Sequence, residues 1–202
     1  MTASIWNKAF RLKLASGSAT RRRLMEAAGL PFEVVAAAVD ERALEAAMPG
    51  AAPGELALAL ARAKALSARA PGALVVGADQ TLALDGRLFH KSATREEALG
   101  ALSALAGRAH RLTSAFAIAR DGDIVAAGAE AAEMTMRAVG PAALGLYLDA
   151  AGPGALGSVG VYQWEGLGAH LFERVEGDHS TILGLPMLKL LAALRGLGAL
   201  RL

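Results

Sequence analysis

The sequence predicts an α/β fold with a mixed sheet. Two observations carry this reading. Short apolar runs of strand length alternate with segments of helical periodicity through the first half. The middle is then rich in hairpin signals, with Asp85-Gly86 and Asp121-Gly122 each set between apolar flanks.

Taken in order, residues 10–15 read as a strand with Leu12 and Leu14 on one face. Ser18 is placed as an N-cap, opening a helix over 19–28 that Gly29 ends. Residues 31–39 form a second strand. Pro53 suits the first turn of a long helix, "PGELALALARAKALSARA", with Leu56, Leu60 and Ala63 on one stripe and Pro71-Gly72 as its stop. The continuous apolar run 73–76 marks a strand buried on both faces. Thr94 followed by Glu97 is a capping pattern that starts the helix "TREEALGALSAL". Strands over 111–119 and 123–136 follow, then a short helix over 141–150 and a Gly-rich loop, "AGPGALGSVG". A strand over 167–175 and a helix over 186–194 close the chain. Nothing in the 202 residues reads as a linker or a repeat, so they are taken as a single domain.

Composition narrows the function. Hydrophobic residues make up 54% of the chain and mean hydropathy is +0.37. Charge, Gly or Pro nevertheless interrupts every apolar run within about a dozen residues, short of the roughly 18–20 a membrane span needs. Lys8, Arg11 and Lys13 break up the N-terminal region, so no secretory signal is expected. There is no cysteine, hence no thiolate metal site, in keeping with a cytoplasmic protein. Net charge is only +2, too little for a general nucleic-acid binder. The basic charge is local, at Arg21, Arg22 and Arg23, which points to a small anion.

Three groups of residues could carry chemistry. The first is Ser16, Ser18 and Arg21, in "LASGSATRRRLMEAAGL". A helix start leaves backbone N–H groups unpaired and carries partial positive charge, and hydroxyls and a forked guanidinium beside it suit a phosphate. Ser18 as a plain cap explains much of the motif. Arginine in the first helical turn is unfavourable, however, and favours an anionic partner. The second is Asp79, just past a buried strand, where it could bind metal, act as a base or cap a turn. Lys64 and Lys91 lie on neighbouring elements and could neutralise phosphate charge. Asp40 and Glu41 could ligate metal or cap a helix. The third is Glu165, set beside Gly166, which could accept N–H groups from a guanine-like base edge. Asp85 and His110 read as structural. His179 and Ser180 read as caps.

With these residues in place the sequence resembles the Maf family of nucleoside triphosphate pyrophosphatases over nearly its whole length. The matching pieces include "LASGSATRRRLMEAAGLPFEV", "VDE", "LALARAKA", "VVGADQTLALDGRLFHK", "YLDAAG" and "VEGDHSTILGLPML". The resemblance implies an elongated twisted mixed sheet flanked by helices, with two lobes around a cleft, in an ITPase-like and often dimeric protein. It implies hydrolysis between the α- and β-phosphates with a divalent cation, Mg²⁺, Mn²⁺ or Co²⁺. Asp79 would be the proton acceptor and, with Glu41, a metal ligand. Ser16, Ser18, Arg21, Lys64 and Lys91 would hold phosphate.

Within the family, Thr20, Gln80 and Glu165 fall at specificity positions. Glu165 and the run "EGLG" resemble the branch acting on 7-methyl-GTP, and a carboxylate suits a cationic methylated guanine. Thr20 departs from both branches, since it offers neither a charge nor an aromatic face. The alternatives are a dTTP/UTP pyrophosphatase, a non-catalytic nucleotide-binding regulator of septum formation, and an α/β domain whose Ser–Arg motif is only a cap.

Overall fold

The computed structural model describes residues 5–202. Its strands are β1 (Arg11–Ala15), β2 (Phe32–Val34), β3 (Ala73–Leu84), β4 (Arg87–Phe89), β5 (Ala109–Arg120), β6 (Asp123–Met136) and β7 (Phe172–Glu176). Its α-helices are α1 (Ala19–Ala27), α2 (Glu41–Ala46), α3 (Pro53–Ser67), α4 (Arg95–Leu105), α5 (Pro141–Ala151), α6 (His179–Ile182) and α7 (Met187–Gly196). The strand order is β2-β1-β3-β5-β6-β7, with β4 paired to β3. β1 runs parallel to β2 and β3, whereas β3–β4 and β6–β7 are antiparallel. The sheet is therefore mixed, as the sequence predicts. Among the described residues no helix is long and apolar enough to cross a membrane.

The chain divides into two units. The first holds residues up to Gln80 together with Thr113–Glu130 and His179–Leu202. Here the period-2 alternation of β3 decides what each sheet face covers. Leu74, Val76 and Ala78 join Leu12 and Leu14 of β1 and Phe116 of β5 against Met25 of α1 and Leu190 and Leu194 of α7. Val75 lies on the other face with Ala115 and Ala117, against Ala57, Ala61 and Ala65 of α3. The alanines recur every four residues, so α3 lays a stripe of small side chains on the sheet. Gly77 completes that fit. A Cβ there would lie 2.2 Å from the Ala61 carbonyl oxygen and 2.4 Å from the Ala65 nitrogen, so only glycine lets helix and strand backbones touch.

The second unit holds Thr81–Leu112 and Ala131–Asp178. The β3–β4 hairpin turns at Asp85 and Gly86, both at positive φ (49° and 79°), as the Asp-Gly signal requires. Thr94 caps α4 by accepting from the Glu97 N–H at 3.2 Å. Buried Leu102, Leu105, Leu144 and Leu148 face inward from α4 and α5.

Several expected elements differ. The strand expected at 31–39 is only Phe32–Val34, because its one partner, β1, offers three paired positions, Leu12 to Leu14. On α3 the buried face is Leu56, Ala57, Leu60, Ala61, Lys64 and Ala65, while Ala63 stays partly exposed. The Gly-rich loop forms two 3₁₀ turns, Pro153–Gly157 and Val159–Val161. The strand expected at 167–175 begins as another 3₁₀ turn, Leu167–Leu171, and becomes extended only where Phe172 meets Met136 of β6. In that turn Gly168 packs on the backbone of Gln163, where a Cβ would lie 2.6 Å from Gln163 O, so only glycine fits.

Candidate active site

The parallel register sets Ala15 of β1 beside Gly77 of β3. The loop 16–18 therefore leaves the sheet alongside residues 78–80, where ligand sites of α/β sheets are found. Ser18 caps α1, its Oγ accepting from the Arg21 N–H at 3.4 Å. Ser16 is buried, and its Oγ accepts from the Ser18 N–H at 3.3 Å. The plain capping role of Ser18 is thus real, and it leaves each hydroxyl hydrogen to donate elsewhere.

Asp79 lies within β3 rather than just past its end, because the strand runs on to Leu84 and its hairpin with β4. Lys64 and Asp79 face each other across the α3–β3 contact that Gly77 permits. Nζ of Lys64 lies 2.5 Å from Oδ1 of Asp79 and 2.7 Å from Oε1 of Glu41. Lys64 is 8% exposed and Asp79 7%, so this is a buried pair, in which each ion depends on the other for the hydration it has lost. Glu41 reaches it from the first turn of α2, whose N-cap is Asp40, accepting from the Ala43 N–H at 2.9 Å. Asp40 is a cap, then, and Glu41 a member of the charged cluster.

Arg21 comes from α1. Its Nε donates to Gly184 O at 2.8 Å, and Nη1 donates to Ala78 O at 2.9 Å and Ser16 Oγ at 3.3 Å. An arginine has five N–H donors, and Nη2 carries the pair beyond these. A phosphate here would meet Nη2 alone rather than the fork expected from the sequence, because backbone carbonyls hold the other nitrogens. Burial pulls the Arg21 pKa below its usual value, opposed by the charges of Asp79 and Glu41. A guanidinium keeps its proton against such a shift. Arg21 and Asp79 therefore lie within electrostatic reach of one another.

The other candidates have different surroundings. Gln80 donates Nε2 to Thr181 O at 3.1 Å and to Ile182 O at 3.0 Å. Thr20 Oγ1 accepts from Arg23 Nη2 at 3.4 Å. Lys91 and Glu165 belong to the second unit and are exposed there, Lys91 just past β4 and Glu165 in the turn before Leu167. Asp85 pairs with Arg108, and Ser180 Oγ accepts from Met187 N–H at 3.0 Å, capping α7. Buried His110 hydrogen-bonds through Nε2 to the Tyr162 hydroxyl at 2.7 Å, and burial pushes its pKa down to about 4. These three are structural, as read.

The sequence reading missed Gly77, Ser114 and Gly184. An isolated glycine within a strand is a known sign of close backbone approach, so Gly77 had a signal. Ser114 had none, since its partner, Thr181 O at 2.7 Å, lies 67 residues away.

The carboxylate pair of Asp79 and Glu41 has the donors a divalent cation needs. Asp79 and Glu41 each give one oxygen to Lys64, and each carries a second. Hard carboxylate oxygens suit Mg²⁺ or Mn²⁺. Among the described residues no three carboxylates or histidines cluster, so such an ion would be shared with substrate oxygens.

A family model described as Maf-like protein matches residues 11–197. A nucleoside triphosphate pyrophosphatase of Bradyrhizobium diazoefficiens is 53% identical over 193 residues, covering 95% of this chain and 96% of that one. A 7-methyl-GTP pyrophosphatase of Rhizobium johnstonii is 50% identical over 194 residues, covering 94% and 98%. A solved HAM1 protein from Coxiella burnetii overlaps 64% of this chain and 74% of its own, at a TM-score of 0.42 and 18% identity.

Proposed function

We propose, from the premise that this chain belongs to the Maf-like protein family, that it is a nucleoside triphosphate pyrophosphatase. Water attacks the α-phosphorus, the α–β bridging bond breaks, and the products are a nucleoside monophosphate, pyrophosphate and a proton. One observation supports this above the others. A buried carboxylate, Asp79, held by Lys64, lies within β3 just past the level where β1 ends and a serine-bearing helix start leaves the sheet.

Asp79 accepts the proton of the attacking water through its second oxygen. Lys64 fixes the carboxylate and puts positive charge next to the reacting phosphate. Ser16, Ser18 and the N–H groups that open α1 donate to phosphate oxygens. Arg21 contributes Nη2. Lys91 adds charge to the phosphate tail. Glu41 and Asp79 would hold the divalent cation, which supplies neutralisation of the triphosphate when bound. Purified protein with Mg²⁺ and GTP should release equimolar pyrophosphate and monophosphate. Orthophosphate without pyrophosphate would contradict the reaction.

For the base, the reading is a methylated purine, 7-methyl-GTP. An exposed carboxylate at Glu165 can accept the guanine N–H groups and offset the positive charge of the methylated ring. A substrate panel in which UTP has the highest kcat/KM would overturn this reading in favour of a pyrimidine enzyme.

A further inference from the structure

We propose that Gln80 is a positioning residue that aims Arg21 at the phosphates. The inference rests on the pyrophosphatase reading for what Arg21 meets, and on geometry for what Gln80 does.

The four-residue helix α6 ends in carbonyls that side chains from elsewhere in the chain satisfy. Thr181 O accepts from Ser114 Oγ at 2.7 Å and Gln80 Nε2 at 3.1 Å, as well as from the Gly184 N–H. Ile182 O accepts from the same Gln80 nitrogen at 3.0 Å. Gly184 O accepts from Arg21 Nε at 2.8 Å. Two carbonyl acceptors fix which end of the Gln80 amide is nitrogen and use both its N–H donors.

Asp79 and Gln80 are consecutive on β3 and so point to opposite faces. β3 thereby presents the carboxylate to Lys64 and the amide to the 181–184 turn. That turn holds Arg21 Nε, and the same strand holds Arg21 Nη1 through Ala78 O. The guanidinium is fixed before any phosphate arrives, and the ordering cost of a long side chain is already met. Gly184 fits this role. Its φ is +102°, and a Cβ would lie 3.4 Å from Arg21 Nε and 3.6 Å from Nη2. Both amide donors are engaged on protein carbonyls, and Gln80 keeps its Oε1 acceptor beyond them.

The test compares wild type with Gln80→Glu, which turns two donors into repelling acceptors, and Gln80→Met, which removes them without adding charge. Calorimetry with inorganic tripolyphosphate, which has no base, reads the anion site alone. Both variants should raise its Kd about tenfold at unchanged stoichiometry. They should also lower kcat/KM for GTP, 7-methyl-GTP and UTP by one common factor, ten- to hundredfold. On an Arg21→Lys background the same changes should add almost nothing. An altered nucleotide ranking with unchanged tripolyphosphate Kd would make Gln80 a base reader. A lower stoichiometry at unchanged Kd would make it merely structural. Either result overturns the proposal. A wild type that binds tripolyphosphate and cleaves no nucleotide would instead sink the pyrophosphatase reading, and leaves the Kd comparison intact.

Discussion

Lys64 stands between two carboxylates, and Asp79, the buried one, is the proposed base. Asp79→Asn keeps the shape and an acceptor for Lys64 while removing the basic oxygen. Turnover should fall by about 10²–10⁴, the usual worth of a general base, with the protein still folded by circular dichroism. Near-normal turnover would remove Asp79 from that role. His110 gives a second test at this scale, on stability. Burial holds its pKa at about 4 against the ordinary 6.5, so the folded chain favours the neutral ring. The stability this confers is complete above pH 6.5. It is lost as pH falls toward 4, because the unfolded chain takes up the proton first. The loss should amount to about 3 kcal/mol. Urea melts of His110→Phe between pH 7 and 4 should show a flatter slope than wild type. Equal slopes would mean that His110 titrates as an ordinary histidine.

Among the elements, the contact of α3 with β3 places the charged pair. It depends on Gly77 and on the alanine stripe, because any Cβ at 77 meets helix backbone rather than a side chain that can swing away. Gly77→Ala should cost about 3 kcal/mol of stability. It should also lower kcat far more than the melting temperature alone explains, since Lys64 moves away from Asp79. A variant with wild-type kcat and Tm would show that the helix adapts. This scale also shows what the sequence reveals. The turns at Asp85-Gly86 and Asp121-Gly122 were legible because positive φ selects those residues. The caps Ser18 and Thr94 were legible because capping is local. The 3₁₀ turns over 153–161 and 167–171 have no apolar period to betray them. The bonds from Gln80 and Ser114 to α6 join residues far apart in the chain, and no local pattern encodes them.

At the level of the whole molecule, the proposed residues are divided between the two units, and Glu165, proposed for base choice, is not in the unit that holds Asp79. Ser16, Arg21, Lys64 and Asp79 belong to the first, Lys91 and Glu165 to the second. The resemblance supplied the family from motifs spread over about residues 14–194, and the family match covers 11–197. Within a single sequence Glu165 is only an exposed carboxylate beside glycine. Glu165→Gln should lower kcat/KM for 7-methyl-GTP about tenfold, the worth of one charged contact, and leave UTP nearly unchanged. Equal losses on both nucleotides would exclude it from base selection.

The most direct measurement is hydrolysis of GTP in ¹⁸O-labelled water, with both products analysed by mass. Attack of an Asp79-activated water on the α-phosphorus should place one ¹⁸O in the monophosphate and none in pyrophosphate. Label in pyrophosphate, with unlabelled monophosphate, would mean that water attacks the β-phosphorus and would contradict the account.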